Sequence, residues 1–306
     1  MPDDNNELTH HGVDDPVNRT YANDTIRLLI ERSSCRSFSD RKIPDDVLGT
    51  ILDSGIHSAS GGNLQPFSII KITDDTVKSE LAHLNEDQLF IKTAPVNLLF
   101  CIDWRRIIRW TALSHAPCSA QNSFRHFWIS FQDTIIAAQN ICTAADALGL
   151  GSVYVGTVLE CFRETRTLLK IPDGVFPVVL LSLGYPKFRP APKRKLSREA
   201  IVHDEFYRDL PDAELLAAFE AKYPDWKMET TSEKLDQIAK VCRTVHGSAF
   251  AEACIAAIQE QGYINAAQNY FGLHYCADEM PMRNEEFLAI IKEFGFGWFE
   301  KFEGKG

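Results

Sequence analysis

Four short apolar runs, at residues 67–72, 96–102, 153–155 and 176–183, constrain the folding of this chain most. They lack the strict apolar–polar alternation of a strand with one wet face, so they predict strands of a sheet covered on both sides. Helical patterns lie between them. One covers residues 24–32. A second starts at Pro44-Asp45-Asp46 and carries Val47, Leu48, Ile51, Leu52, Gly55 and Ile56 at helical spacing to about residue 57. A third spans 133–148 and ends in Gly149-Leu150-Gly151-Ser152, a glycine stop of the usual kind. A chain of 306 residues can bury a sizeable core, and one large domain with a smaller one is the expected organisation.

Two polar strings interrupt this framework. Arg32-Ser33-Ser34-Cys35-Arg36-Ser37-Phe38 sets two guanidiniums around hydroxyls and backbone N–H groups, a composition suited to gripping a phosphate through charge-assisted hydrogen bonds. Ser58-Ala59-Ser60-Gly61-Gly62-Asn63-Leu64-Gln65-Pro66-Phe67 is a tight loop whose glycines admit close approach of a flat ligand. Its Ser60, Asn63 and Gln65 offer donors and acceptors to a heterocycle edge. Together the strings point to a phosphorylated aromatic cofactor.

The order of these strings resembles the FMN-dependent nitroreductase family, whose R-x-S-x-R-x-F motif corresponds to Arg32, Ser34, Arg36 and Phe38. The family's N-x-Q-P-aromatic loop ending corresponds to Asn63, Gln65, Pro66 and Phe67. Further landmarks follow in family order: Thr93-Ala94-Pro95-Val96, Leu169-Lys170-Ile171-Pro172-Asp173-Gly174-Val175, Leu183-Gly184-Tyr185-Pro186, and the basic turn Lys193-Arg194-Lys195-Leu196. The resemblance covers residues 25–208. It implies an α+β fold with a central, mostly antiparallel sheet flanked by helices, and a homodimer with two FMN sites at its interface. By resemblance Arg32, Ser33, Ser34 and Arg36 hold the phosphate, with Arg194 completing the grip. Ser60, Gly61, Gly62, Asn63 and Gln65 then meet the ring from the neighbouring subunit, and the backbone of Val155, Gly156 and Thr157 lies against the ring's other face.

No Ser/His/Asp order, carboxylate pair or zinc-like spacing stands out, which suits an enzyme whose redox chemistry belongs to a flavin. The expected activity takes hydride from NADH or NADPH and reduces a small electron-poor planar molecule, a nitroaromatic or quinone, by ping-pong turnover. No G-x-G-x-x-G turn marks a separate nicotinamide domain. Two other readings stand beside it: a specialised branch (dehalogenation, heterocycle dehydrogenation or flavin breakdown), and a flavin-holding sensor or interaction protein without turnover.

A formal charge of −10 argues against a nucleic-acid surface, and Arg32, Arg36, Arg41 and Lys42 form a local basic cluster on that acidic background. The eight cysteines, with no C-x-x-C pair, read as reduced thiols in a cytoplasmic protein. No window approaches a membrane span, and residues 1–23, polar and without a signal-like apolar core, read as an arm. Residues 104–129 mix aromatics and cations without a period, and are expected to be an irregular, substrate-facing segment.

From residue 209 the chain departs from the family pattern into a helical extension, with helices at 212–222, at 230–245 behind a Thr230/Glu233 capping box, at 249–261 and at 285–294. The motif residues all lie upstream, so the extension is expected to shape substrate access or dimer stability, leaving cofactor binding intact on its removal. Its aromatic end, Phe294-Gly295-Phe296-Gly297-Trp298-Phe299, must find apolar cover on the core, a second subunit or the active site.

Overall fold

The computed structural model describes residues 20–303. Most of the expected N-terminal arm, residues 1–19, lies outside the described residues. Four strands, β1 (Phe67–Ile72), β2 (Val96–Asp103), β3 (Gly151–Val155) and β4 (Val175–Gly184), form one sheet in the order β1-β2-β4-β3, with every neighbouring pair antiparallel. The register of β2 on β4 shifts between Phe100 and Cys101, where Pro177 sits opposite Cys101. Proline has no N–H to give a ladder, and a bulge is where a strand tolerates it.

Successive side chains of a strand face opposite sides, and here both sides are covered. Leu98 and Phe100 of β2 and Leu181 and Leu183 of β4 join a core with Leu48, Ile51, Ile141 and Ala145, supplied by α2 (Asp45–Ile56) and α6 (Phe124–Ala147). The intervening Leu99, Cys101, Val178 and Leu180 face a second core. That core draws on α3 (Asp75–Leu84), α4 (Leu89–Thr93), α5 (Arg105–Leu113) and α7 (Phe162–Leu169). The first helix, α1 (Asp24–Glu31), is capped by the Asn23 side chain and buries none of its residues.

Residues 104–129 are irregular only between 114 and 123, around a 3-10 turn at Ala120–Asn122. They hold α5 and the first turns of α6, which begins nine positions before the expected 133. Ser123 caps α6 by accepting from the His126 N–H, and its cations and aromatics are spread around the helix, which hides its period.

By their internal contacts the described residues form two compact units, residues 21–192 with 285–303, and a segment centred on Lys193–Asn284. The sequence suggested one boundary near residue 208. Instead the chain's end belongs to the core of the first unit: after α13 (Asn284–Glu293), Phe294, Phe296 and Trp298 are fully buried against Phe162 and Phe176. Apolar cover for the aromatic terminus is thus found on the core.

The second unit is helical, with α8 (Arg198–Ile201), α9 (Asp212–Lys222), α10 (Ser232–His246), α11 (Ser248–Gln261) and α12 (Ala266–Asn269), the last running into a π-helical turn at Tyr270–His274. Its core is Ile238, Ile258 and Ile264. The start of α10 departs from expectation by one residue. Thr231, not Thr230, accepts from the Lys234 N–H. Among the described residues no helix is long and apolar enough to cross a membrane.

Candidate functional site

The arginine–serine string follows α1 and runs along the exposed edge of β3. Ser34 bridges Ser152 in parallel, and the Cys35 N–H donates to the Ser152 carbonyl at 2.9 Å. Gly151 permits this approach, since a Cβ there would lie 2.6 Å from Cys35 Cβ. On its other side the string is backed by residues 185–190: Ser39 N–H donates to Tyr185 O, Lys187 N–H to Ser37 O, and the Ser33 hydroxyl to Pro190 O at 2.6 Å.

The two guanidiniums of the string differ. Arg32 is turned into the protein, where Nε donates to Cys142 Sγ at 2.8 Å and lies 3.6 Å from Asp146 Oδ2, while a terminal nitrogen donates to Ser152 Oγ at 3.2 Å. Arg36 is exposed. Its guanidinium lies 6.0 Å from the Phe90 ring and has no carboxylate partner among the described residues. Arg36 and Ser34 are therefore open to a ligand, and Arg32 keeps the outer N–H groups of its fork unpaired among the described residues.

The second string forms a 3-10 turn, Gly61–Asn63, between α2 and β1. Gly62, Asn63 and Gln65 all adopt left-handed backbone, at φ 59°, 56° and 49°. Asn tolerates that region and Gln pays strain, the kind of local cost that clusters at ligand sites. The loop is held by four side-chain contacts. Both oxygens of Asp133 accept from the Gly61 N–H at 3.1 Å, Ser60 Oγ accepts from Gln65 N–H at 3.3 Å, and Gln65 Nε2 donates to Ile56 O at 2.7 Å. Gly61 packs so closely on α6 that a Cβ would meet Ile129 Cγ2 at 2.7 Å. Burial pushes the Asp133 carboxyl above the usual range, and the Gly61 N–H only partly offsets this. Ser58, buried at the head of the loop, has a hydroxyl without a partner among the described residues.

The third segment follows β3. Val155 is buried, and Gly156 is exposed with open space where a Cβ would stand. Thr157 Oγ1 is occupied, donating to Asn85 Oδ1 and accepting from Gln88 Nε2, each at 2.9 Å. Arg194 belongs to the second unit, where its guanidinium reaches Ala221 O at 3.5 Å.

Within one chain the structure brings the arginine string and the 155–157 segment to the β3 edge and places the glycine loop beside β1, the opposite edge. At about 4.8 Å per strand these edges lie roughly 14 Å apart. The anchors on α6 are also separated. From Asp133, under the loop, to Asp146, under Arg32, the helix rises about 20 Å.

The residue types fit a phosphorylated planar group: an unspent guanidinium, a hydroxyl, a strained donor-rich loop and an uncovered glycine. A protein-family model described as the nitroreductase family matches residues 29–185. The chain belongs to the nitroreductase family. Its relatives include an oxygen-insensitive NADPH nitroreductase of Salmonella typhimurium, 32% identical over 66% of this chain and 82% of that one. An NADPH-flavin oxidoreductase of Vibrio harveyi is 29% identical over 70% and 90% of the two chains. Among solved structures, the hypothetical oxidoreductase YcnD from Bacillus subtilis superposes with a TM-score of 0.70 at 26% identity, covering 91% of this chain and all of its own. The α+β, antiparallel architecture expected from the motifs is thus the family's.

The residues beneath this candidate site were not legible in the sequence. Asp133, Asp146 and Arg189 meet their partners only through tertiary contacts, with no local motif to announce them.

Proposed function

We propose that this protein is an FMN-dependent oxidoreductase that takes hydride from NADH or NADPH and reduces small electron-poor planar molecules such as nitroaromatics or quinones by ping-pong turnover. The observation that carries this is the exposed, carboxylate-free Arg36 guanidinium beside Ser34, in a chain whose relatives are named for flavin, nitro-group and NAD(P)H chemistry. When bound, FMN supplies an isoalloxazine ring that accepts a hydride and passes its electrons on. The chain's own residues bind and orient. Arg36 and Ser34 would contact the phosphate's oxygens, Arg32 would add its free N–H donors, and Ser33 would serve through its backbone, its hydroxyl being committed to Pro190. Ser60, Gly61, Gly62, Asn63 and Gln65 would line the ring edge, and Val155, Gly156 and Thr157 would present backbone to a ring face.

The same reading makes the protein a homodimer. A ligand gripped by the arginine string and by the loop of one chain would have to cross the whole sheet, and taking the loop from a second copy removes that demand. Exposed apolar side chains support this: Ile26, Leu29 and Ile30 on α1, and Trp128, Phe131 and Ile136 on α6, stand uncovered in one chain. Eight free cysteines fit the reducing cytoplasm.

The test is the absorption spectrum of the purified protein, followed by anaerobic mixing with NADH or NADPH and then with a nitroaromatic or quinone. Bound oxidised flavin that extracts as FMN, bleaches with nicotinamide and recovers with the acceptor is the expected result. Extracted FAD, a colourless protein that does not take up FMN, or flavin that nicotinamide fails to reduce contradicts the proposal.

A further inference from the structure

Asp146 stands where a carboxylate is doubly disfavoured: it is in the last turn of α6, facing the negative end of the helix dipole, and only 6% of it is exposed. Two guanidiniums compensate. Arg189 donates to Oδ1 at 2.7 Å and also bonds the Leu150 carbonyl, while Arg32 Nε lies 3.6 Å from Oδ2, an ion pair without a hydrogen bond. Because Arg189 takes one oxygen and carries a second positive charge, the Asp146 carboxylate does not neutralise Arg32; the trio keeps a net positive charge.

The inner edge of the Arg32 guanidinium is fixed by three groups on two elements: Asp146 and Cys142 from α6, and Ser152 from β3. Cys142 Sγ and Ser152 Oγ are themselves 3.0 Å apart. Both N–H groups of one terminal nitrogen, and one of the other, have no partner among the described residues. The guanidinium is therefore locked on one side and open on the other, next to Ser34, which bridges the same Ser152. A charged fork held in advance loses less freedom on gripping an anion than one free on a surface.

We propose that Asp146, braced by Arg189, is a positioning residue that holds Arg32 for the phosphate of the bound flavin. This rests on the FMN reading above. Asp146 acts only through Arg32, so it should matter to a ligand with a phosphate and not to the same ring without one.

The test titrates FMN and riboflavin into the full-length protein after its flavin has been dialysed away. The wild type should prefer FMN. Asp146→Asn, close in shape, should cut that preference about tenfold while riboflavin affinity stays within about twofold. Asp146→Glu should restore part of it, and adding Asp146→Asn to Arg32→Ala should cost nothing beyond Arg32→Ala alone. Ser152→Ala, which removes one inner acceptor without unpairing a charge, should lower the preference severalfold, and Asp146→Glu carries the test if Asp146→Asn does not fold. An unchanged preference in the folded variants, or an equal loss of both ligands, overturns the inference while leaving the FMN reading intact. A wild type that binds FMN and riboflavin equally overturns the phosphate reading itself.

Discussion

Arg36 can be removed without breaking any ion pair among the described residues, so it isolates binding from folding. Arg36→Ala should lose a charge-assisted contact of about 1.5–3 kcal/mol, a tenfold to hundredfold weakening of FMN binding. The flavin-free protein should melt as before, and identical FMN titrations of variant and parent would refute the assignment. Arg194→Ala, titrated alongside, tests a role that rests on resemblance alone; unchanged affinity would remove it from the site. Asp133 makes a different prediction. Its folded-state pKa is raised by burial, so the native state binds its proton more readily than the unfolded chain does. The cost of its charge is absent below the ordinary carboxylate value near 3.8 and grows as pH rises through the raised value. Asp133→Asn removes that charge and keeps an acceptor for Gly61. Relative to this variant, the wild type should lose stability as pH rises above the ordinary carboxylate value, and the loss should level off once Asp133 is fully ionised in the folded state. A stability difference that does not change with pH, read from denaturant midpoints, would show that Asp133 titrates normally.

At the scale of elements, the chain's end is part of the core. Trp298, Phe296 and Phe294 are fully buried, and Trp298 stacks on Phe296 with ring centroids 3.8 Å apart. Trp298→Ala should cost about 3–5 kcal/mol in urea unfolding, within the usual range for deleting a large buried aromatic. Trp298→Phe should cost much less, because the indole N–H has no partner among the described residues to lose. A small effect of the alanine variant would mean the segment is dispensable. A chain cut near residue 210 would lose this core along with the helices of Lys193–Asn284, so flavin should be lost with it, contrary to what the placement of the motifs alone suggests. The strands were legible in the sequence because each is an apolar run buried on both faces, α2 because its apolar spacing follows Pro44, and α9 because Pro211 and the acidic first turn mark its start. The start of α6 was hidden because Arg125, His126 and Trp128 interrupt its apolar spacing. The arginine string and the loop were legible as motifs. Their supports were not, because Asp133 meets Gly61 and Asp146 meets Arg189 only after α6 has packed on the sheet.

For the whole molecule, the arginine string and the glycine loop stand at opposite edges of the sheet of one chain, so the proposed FMN site would join the string of one subunit to the loop of another. Sedimentation at micromolar concentration should therefore give a dimer with about one FMN per chain, and a monomer retaining stoichiometric FMN would show the sites to be self-contained. The most direct measurement uses two defective chains, Arg36→Ala in the string and Gly62→Val in the loop, where φ of 59° makes valine strained. Each variant alone should bind FMN weakly. Co-expressed with different tags and purified through both, the mixed dimer contains one site with both parts intact, and it should bind one FMN per dimer with wild-type affinity. A mixed dimer as weak as its two parents would contradict the shared site.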